Sequence, residues 1–214
     1  MEELSIAEIF ASIQGEGSRA GLPCAFVRLA GCNLSCRYCD TEFARQGGRE
    51  MCVEEVIAEV LAFGLPLAEV TGGEPLLQEA CPTLLTGLLE GGLEVLLETN
   101  GSFDLGAVDT RVVKIVDIKC PSSGVGDAMR WENIELLTHR DEVKFVLAGR
   151  DDYDWAREAM ASWRLPDRCS VLFGPVYGEL DPSTLAEWML ADRVPARLQL
   201  QLHKLIWGSG ARGR

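Results

Sequence analysis

Short apolar runs alternate with amphipathic segments along most of the chain. The apolar runs are rich in branched side chains and are bounded by turn residues, which is typical of buried strands. They predict strands at 25–30, 67–71, 94–99, 112–119, 142–147, 170–174 and 197–202. Apolar residues at helical spacing predict helices between them, at 53–63, 76–90, 127–137, 152–163 and 182–191. Because strands that alternate with helices form parallel sheets with crossover helices, the pattern indicates an α/β fold.

The length of the chain limits the form of this fold. A closed eight-fold barrel needs about 250 residues, whereas the chain has 214. A partial, open (β/α) barrel of about six parallel strands with trimmed helices therefore fits better. No linker rich in Gly, Pro or Ser divides the chain, so we expect a single domain over 1–214. Within it we expect an N-terminal extension over 1–24 and a flexible tail over 208–214.

Composition and charge exclude several classes of protein. Hydrophobic residues make up 47% and charged residues 25% of the chain, which is ordinary for a globular protein and excludes a disordered or collagen-like one. The net charge is −13 and no Lys/Arg-rich run occurs, so neither nucleic acid nor an anionic membrane is an expected partner. No stretch without a charged residue exceeds ten residues, about half of a membrane span. With no secretory signal at the N-terminus, we expect a soluble cytoplasmic protein.

Three of the eight cysteines lie within eight residues. Cys32, Cys36 and Cys39 form a C-x3-C-x2-C pattern directly after the first predicted strand. Three thiolates are one ligand short of a closed zinc site or a fully ligated iron–sulfur cluster, so a cubane held this way keeps one iron open to a substrate or cofactor. The alternative is a structural zinc with Cys24 or Cys52 as the fourth ligand, although no second cysteine or histidine pair follows at zinc spacing.

This cysteine pattern resembles the signature of the radical S-adenosylmethionine enzymes. The resemblance implies that the three cysteines hold a 4Fe–4S cluster whose open iron binds the amino and carboxylate groups of S-adenosylmethionine. It further implies that one electron from the cluster cleaves the sulfonium and yields a 5′-deoxyadenosyl radical, which abstracts hydrogen from the substrate. Tyr38 matches the aromatic position that lies near the adenine in this superfamily; simple loop packing is its alternative role.

Polar residues follow several predicted strands, where α/β folds place their chemistry. After the second strand comes Val-Thr-Gly-Gly-Glu-Pro at 70–75. Its glycines let a ligand approach the backbone, and Glu74 offers a carboxylate to an ammonium group. The turn resembles the superfamily motif that binds the methionyl amine, which implies contacts from Gly73 and Glu74. Resemblance at later strand ends implies further cofactor contacts, with turn or cap chemistry as the alternative, from Asn100, Lys119, Cys120, Pro121, Ser122 and Pro175.

Three further segments resemble one family within this superfamily, the 7-carboxy-7-deazaguanine synthases. They read Ser-Ile-Gln-Gly-Glu-Gly at 12–17, Cys-Asp-Thr at 39–41 and Leu-Gln-Leu-His-Lys-Leu at 200–205. The resemblance extends from about residue 6 to residue 207. It implies a lyase that converts 6-carboxy-5,6,7,8-tetrahydropterin to 7-carboxy-7-deazaguanine with loss of ammonia, on the route to queuosine. It also implies hydrogen abstraction at C6, ring contraction, regeneration of S-adenosylmethionine and a requirement for Mg²⁺.

The same resemblance assigns residues to the substrate. It implies that the pterin is contacted by Ile13, Gln14, Gly15, Arg28, Thr71 and His203, with Arg28 and His203 as the catalytic pair. Arg28 lies in an apolar strand, where a guanidinium needs an anionic partner, either the substrate carboxylate or an internal glutamate. Thr41 would bind Mg²⁺, which prefers oxygen ligands and borrows substrate oxygens; a helix cap is its alternative role. The alternative for His203 is a hydrogen-bonded histidine at a strand end.

The family resemblance also implies a homodimer and an electron donor of the flavodoxin or ferredoxin type. Two other functions remain open at this point. A glycyl-radical-enzyme activase shares the short barrel and the cysteine pattern, but leaves Arg28 and the segment 200–205 without a role. A zinc-stabilised binding module leaves the polar strand ends unexplained. Some relatives end soon after the His-Lys pair and use that terminus near the substrate, so the tail puts such a contact in doubt here.

Overall fold

The computed structural model describes residues 2–213 and contains one nine-stranded sheet. The strands are β1 (Glu3–Ile13), β2 (Pro23–Leu29), β3 (Arg49–Cys52), β4 (Leu67–Gly72), β5 (Glu94–Thr99), β6 (Val113–Ile118), β7 (Glu142–Leu147), β8 (Ser170–Pro175) and β9 (Arg197–Leu198). Their order in the sheet is β3-β1-β2-β4-β5-β6-β7-β8-β9. Every neighbouring pair from β2 to β9 is parallel, while β1 is antiparallel to both of its neighbours. The predicted open, mostly parallel α/β fold is confirmed.

Five helices pack around this sheet, at Val53–Ala62 (α1), Cys81–Glu90 (α2), Arg150–Ser162 (α3), Pro182–Asp192 (α4) and Leu202–Trp207 (α5). The central strands β4 to β8 are buried on both faces, as expected of parallel strands; all six residues of β6 are buried. Side chains two positions apart lie on the same face of a strand. On the face of the sheet that points away from α1 and α2, an apolar residue is followed two positions later by a charged one. The pairs are Phe26/Arg28, Leu67/Glu69, Leu96/Glu98 and Ile115/Asp117. This face is therefore apolar near the strand beginnings and charged toward the strand ends.

Several predicted elements were wrong in type or extent. The segment 127–137 is not an α-helix but two short 3₁₀ turns, Gly126–Ala128 and Trp131–Leu136. Buried Asn133 donates to the carbonyls of Gly101 and Phe103, which fastens this segment to the loop after β5. The helix predicted at 76–90 begins only at Cys81. The strand predicted at 197–202 ends at 198, and α5 then begins at Leu202.

The N-terminal segment joins the sheet, and the tail contacts the 3₁₀ turn Glu42–Arg45. β1, which was not among the predicted strands, lies between β3 and β2. In the tail, the Arg212 guanidinium lies 4.2 Å from the ring centroid of Phe43. Residues 1 and 214, which belong to the predicted extension and tail, lie outside the described residues. Between residues 2 and 213 no helix is long and apolar enough to cross a membrane.

Candidate active site

One cavity opens at the carboxyl ends of the parallel strands. It brings together fourteen of the residues predicted from the sequence: Ile13, Gln14, Gly15, Arg28, Cys32, Cys36, Tyr38, Cys39, Thr41, Thr71, Gly73, Asn100, Lys119 and His203. Five predicted residues do not line it: Glu74, Cys120, Pro121, Ser122 and Pro175. The residues that do line it come from both ends of the sequence, so the sheet assembles the site from distant segments.

The three clustered cysteines lie on the loop that follows β2, here called the cluster loop (residues 31–41). All three are half-buried free thiols on the cavity wall. Burial is the main cause that raises the pKa of the Cys36 thiol. Among residues 2–213, no three Cys, His, Asp or Glu side chains are arranged to hold a single metal ion. A four-iron cluster is larger than one ion, so three thiols spread around one cavity fit a cluster with an open iron.

The Gly-Gly-Glu-Pro turn packs directly against the cluster loop. A Cβ atom on Gly73 would lie 2.7 Å from the Cβ of Cys32 and closer still to the Gly31 carbonyl oxygen, so only glycine fits there. The Glu74 side chain is fully buried behind the turn. It accepts hydrogen bonds from the amide of Asn100 at 2.7 Å and from the hydroxyl of Thr99 at 2.8 Å. The Glu74 carboxylate thus anchors the turn to the end of β5, and its expected contact with a ligand ammonium stays a prediction.

The segment after β6 supports the cluster loop from the opposite side. The Arg37 amide donates to the Ser123 carbonyl at 2.9 Å. Ser122 donates to Asp152 through both its hydroxyl and its amide. Cys120 is fully buried, and neither Cys120 nor Ser122 lines the cavity. Their expected contacts with the cofactor stay predictions.

Of two further residues expected to contact the cofactor, Tyr38 lines the cavity and Pro175 does not. The Tyr38 side chain lies in the cavity wall and donates from its hydroxyl to the Val146 carbonyl at 3.1 Å. Pro175 lies behind the wall, and the following residues Val176 and Tyr177 line the cavity instead. Near the same wall, the Lys119 ammonium donates to Asp117 at 2.8 Å.

The loop after β1 lines the cavity together with the cluster loop. Gln14 donates from its side chain to Glu69, and both residues are buried. Burial, followed by repulsion from Glu98, raises the pKa of Glu69 to about 8, so this carboxyl is largely protonated at neutral pH. Gly15 lies against the imidazole of His203. His203 lies in α5 and not at a strand end, where its alternative role had placed it.

A network of buried charges joins this loop to the middle of the sheet. Lys144 on β7 is 4% exposed and pairs with Glu16 at 2.9 Å and with Glu98. Its third carboxylate neighbour, Asp117, lies at 3.6 Å. Burial alone would lower the pKa of Lys144, but the carboxylates of Glu16 and Glu98 hold it well above the usual value. None of these residues was predicted, although a charged residue inside an apolar strand was the available signal.

Arg28 and Thr41 occupy the mouth of the cavity. The Nε of Arg28 donates to Glu8 at 2.9 Å, and the two residues face each other across β1 and β2. The internal glutamate considered as an alternative partner is therefore present. Within residues 2–213 the two terminal NH₂ groups of Arg28 make no hydrogen bond, which leaves them for a second anion. Thr41 precedes a 3₁₀ turn but makes no side-chain capping bond, which argues against the cap alternative.

Comparison with known proteins agrees with this geometry. The profile of the Radical SAM superfamily matches residues 27–164, which covers the cluster loop and the parallel strands through β7. The fold and the three-cysteine cavity are thus those of a radical SAM protein. The 7-carboxy-7-deazaguanine synthase of Chlorobaculum tepidum is 53% identical over 98% of this chain and 97% of its own length. The synthase of Koribacter versatilis is 45% identical over 98% of this chain and 100% of its own.

The chain belongs to the 7-carboxy-7-deazaguanine synthase family. Its fold also matches the crystal structure of QueE from Escherichia coli with a TM-score of 0.76, covering 92% of this chain and 94% of that one. Sequence identity to that structure is 20%, so the match concerns the fold.

Proposed function

We propose that this protein is a radical SAM lyase that converts 6-carboxy-5,6,7,8-tetrahydropterin to 7-carboxy-7-deazaguanine with loss of ammonia. The proposal rests on one observation: the thiols expected to hold the cluster and the side chains expected to bind the substrate line the same cavity. The three thiols of the cluster loop lie on one wall, and Gln14, Arg28 and His203 lie on the others. Similarity over nearly the full length to 7-carboxy-7-deazaguanine synthases favours this function over that of an activase or a zinc-stabilised module.

The cofactor side of the cavity is built to hold a cluster and a nucleoside ligand. When bound, the 4Fe–4S cluster and S-adenosylmethionine supply a radical that removes hydrogen from C6 of the pterin. The chain provides the three thiolates, and the Gly73 turn presents backbone rather than side chains beside them. Asn100 also faces the cavity and donates to Asn33 of the cluster loop at 3.0 Å. These groups orient the ligand next to the thiols and limit the access of water.

The substrate side of the cavity is matched to a polar heterocycle with one carboxylate. The terminal NH₂ groups of Arg28 suit that carboxylate, because a planar guanidinium fork binds carboxylates in two places. Burial lowers the pKa of His203, so its imidazole is neutral at pH 7 and can accept or donate one proton. Glu98 and Lys144 also line the cavity, where they can pair with ring nitrogens and the ring carbonyl.

Magnesium fits the mouth of the site. The Thr41 hydroxyl makes no capping bond, lies 3.8 Å from the Cys39 sulfur and lines the same cavity as Arg28. One protein hydroxyl, substrate oxygens and waters form the kind of sparse site that Mg²⁺ accepts. We therefore assign Thr41 to a Mg²⁺ ion that also contacts the substrate carboxylate.

An anaerobic turnover assay tests the proposed function. The protein is reconstituted with iron and sulfide and mixed with dithionite, Mg²⁺, S-adenosylmethionine and the pterin, and mass spectrometry follows the product. We expect 7-carboxy-7-deazaguanine from the wild type and none from Cys36→Ala. Cys52→Ala is the matched control, since Cys52 is also half-buried but lies at the start of α1, outside the cavity, and we expect it to be active. Cleavage of S-adenosylmethionine without this product would favour the activase instead.

The expected homodimer is supported by an exposed apolar surface beside the short edge strand β9. Leu198, Leu205, Ile206 and Tyr177 are each at least 40% exposed. Lys204 lies 5.5 Å from the Tyr177 ring, so α5 and Tyr177 are neighbours. We propose that a second copy covers this surface, and that light scattering will give the dimer mass for the wild type and the monomer mass for Ile206→Asp. A flavodoxin- or ferredoxin-type electron donor and the cytoplasmic location stay predictions.

A further inference from the structure

An ion pair joins the C-terminal helix to the cluster loop across 164 positions of sequence. The Lys204 ammonium donates to the Asp40 carboxylate at 2.7 Å. The Lys204 side chain is 9% exposed although it belongs to a short helix near the end of the chain. A lysine that is this buried needs a charged partner, and Asp40, whose side chain is 48% exposed, supplies it.

Asp40 lies between two residues with assigned chemistry. Cys39 precedes it as a cluster ligand, and Thr41 follows it as the proposed Mg²⁺ ligand. The backbone here is held locally by one weak and one good hydrogen bond, from the Cys39 amide to Cys36 at 3.3 Å and from the Ala44 amide to Thr41 at 2.9 Å. Lys204 therefore supplies a long-range restraint at the point where the cluster ligands end and the metal ligand begins.

The other side of α5 is fixed to the loop after β1, here called the substrate loop (residues 14–22). The Leu202 amide donates to the Gly15 carbonyl at 3.0 Å. One residue earlier, the Gln201 side chain donates to Glu16 at 2.7 Å. His203 itself packs against Gly15. The segment 201–204 thus contacts the substrate loop with one set of groups and the cluster loop with the ammonium of Lys204.

We propose that Lys204 is a positioning residue for the proposed reaction, which sets the distance between the substrate side and the cofactor side of the cavity through Asp40. The role follows from the contacts above, because Lys204 is the charged group of α5 that reaches the loop carrying Cys39 and Thr41. Without it, α5 and the substrate loop stay joined, but the end of the cluster loop is free to shift. A shift of about 1 Å between reacting groups costs on the order of 10²-fold in rate.

The test compares Lys204→Met, which keeps the length of the side chain, with Lys204→Arg, which keeps its charge. Arg111→Met is the matched control, because it breaks an exposed ion pair of equal length, 2.7 Å, outside the cavity. We expect Lys204→Met to lose about 10²-fold in kcat for 7-carboxy-7-deazaguanine. It should also cleave more S-adenosylmethionine for each product formed, and Lys204→Arg should restore both values substantially.

Hydrogen exchange gives a readout that does not depend on turnover. In Lys204→Met, without added S-adenosylmethionine or pterin, we expect faster amide exchange confined to residues 39–45 and 202–207. Exchange and product ratio equal to the wild type would overturn the proposal, as would equal losses in Lys204→Arg and Lys204→Met. If Lys204→Met does not fold, Asp40→Asn decides in its place, and wild-type behaviour of that variant overturns the proposal. The inference rests on the proposed function, but a wild type without product would refute that function while the exchange experiment still tests the restraint.

Discussion

The contact between Gly15 and His203 gives the sharpest test of how the two ends of the chain form the substrate side. In Gly15→Ala, the new methyl group would lie 3.1 Å from the His203 Cγ and from its backbone nitrogen, and closer still to Nδ1. Ordinary contacts begin at 3.4 Å, so both the imidazole and the start of α5 must move. The ring must move by about 1 Å, since its nearest atom is overlapped most strongly.

This displacement predicts a loss of both activity and stability. A misplacement of about 1 Å costs on the order of 10²-fold in kcat/KM, or about 2.7 kcal/mol of transition-state stabilisation. Overpacking costs about 1–3 kcal/mol of unfolding free energy. Each kcal/mol lowers Tm by about 2–4 °C in a chain of this length. The assay is anaerobic turnover of the pterin, accompanied by thermal unfolding of the same samples.

The matched control is Gly149→Ala. No heavy atom lies within 4 Å of a Cβ placed on Gly149, and its backbone is extended, so this variant should keep wild-type activity. Gly15→Ala with wild-type kcat/KM would refute the reasoning. So would a loss of activity that is matched by Gly149→Ala.

Three further predictions concern buried groups of the site. Lys144→Met leaves the three neighbouring carboxylates without their cation. Urea denaturation should show an unfolding free energy that is lower by about 3–5 kcal/mol. An unchanged unfolding free energy would contradict the charge network. Because the pKa of Glu69 is raised from 4.5 to about 8 on folding, its contribution to stability should be full below pH 4.5 and lost as the pH rises to about 8. Denaturation curves of Glu69→Gln should lack this fall, and an identical pH dependence would count against it. Gly73→Ala should bind less iron and sulfide on reconstitution, because its methyl group would displace Cys32; a full cluster content would show that the turn tolerates a side chain.

The parallel strands could be predicted because burial on both faces produces a continuous local signal. The strands at β4, β5 and β7 begin as predicted, at residues 67, 94 and 142. β1 was missed because its apolar residues alternate with polar ones such as Ser5 and Ser12, and because its partner β3 is four residues long. The helix predicted at 127–137 failed for another reason, since the side chain of Asn133 binds distant carbonyls and overrides local periodicity.

Some residues of the candidate site could likewise be predicted from local sequence, and others could not. The cysteines, Gly73 and Arg28 stand in local motifs or inside an apolar strand, so the sequence indicates them. The partners of Lys144 lie up to 128 positions away, at Glu16, and no local pattern shows that the two residues pair. For Glu74 the reverse holds. A sequence motif identified the residue, but only the fold showed that its carboxylate accepts hydrogen bonds from Thr99 and Asn100.

The central claim is that the three-cysteine loop and the substrate loop act on one pterin in one cavity. The most direct measurement is anaerobic turnover of 6-carboxytetrahydropterin that carries deuterium at C6, with mass spectrometry of the product and of S-adenosylmethionine. We predict 7-carboxy-7-deazaguanine together with deuterium in the recovered S-adenosylmethionine. Cleavage of S-adenosylmethionine while the pterin keeps its deuterium and its ring would contradict the account.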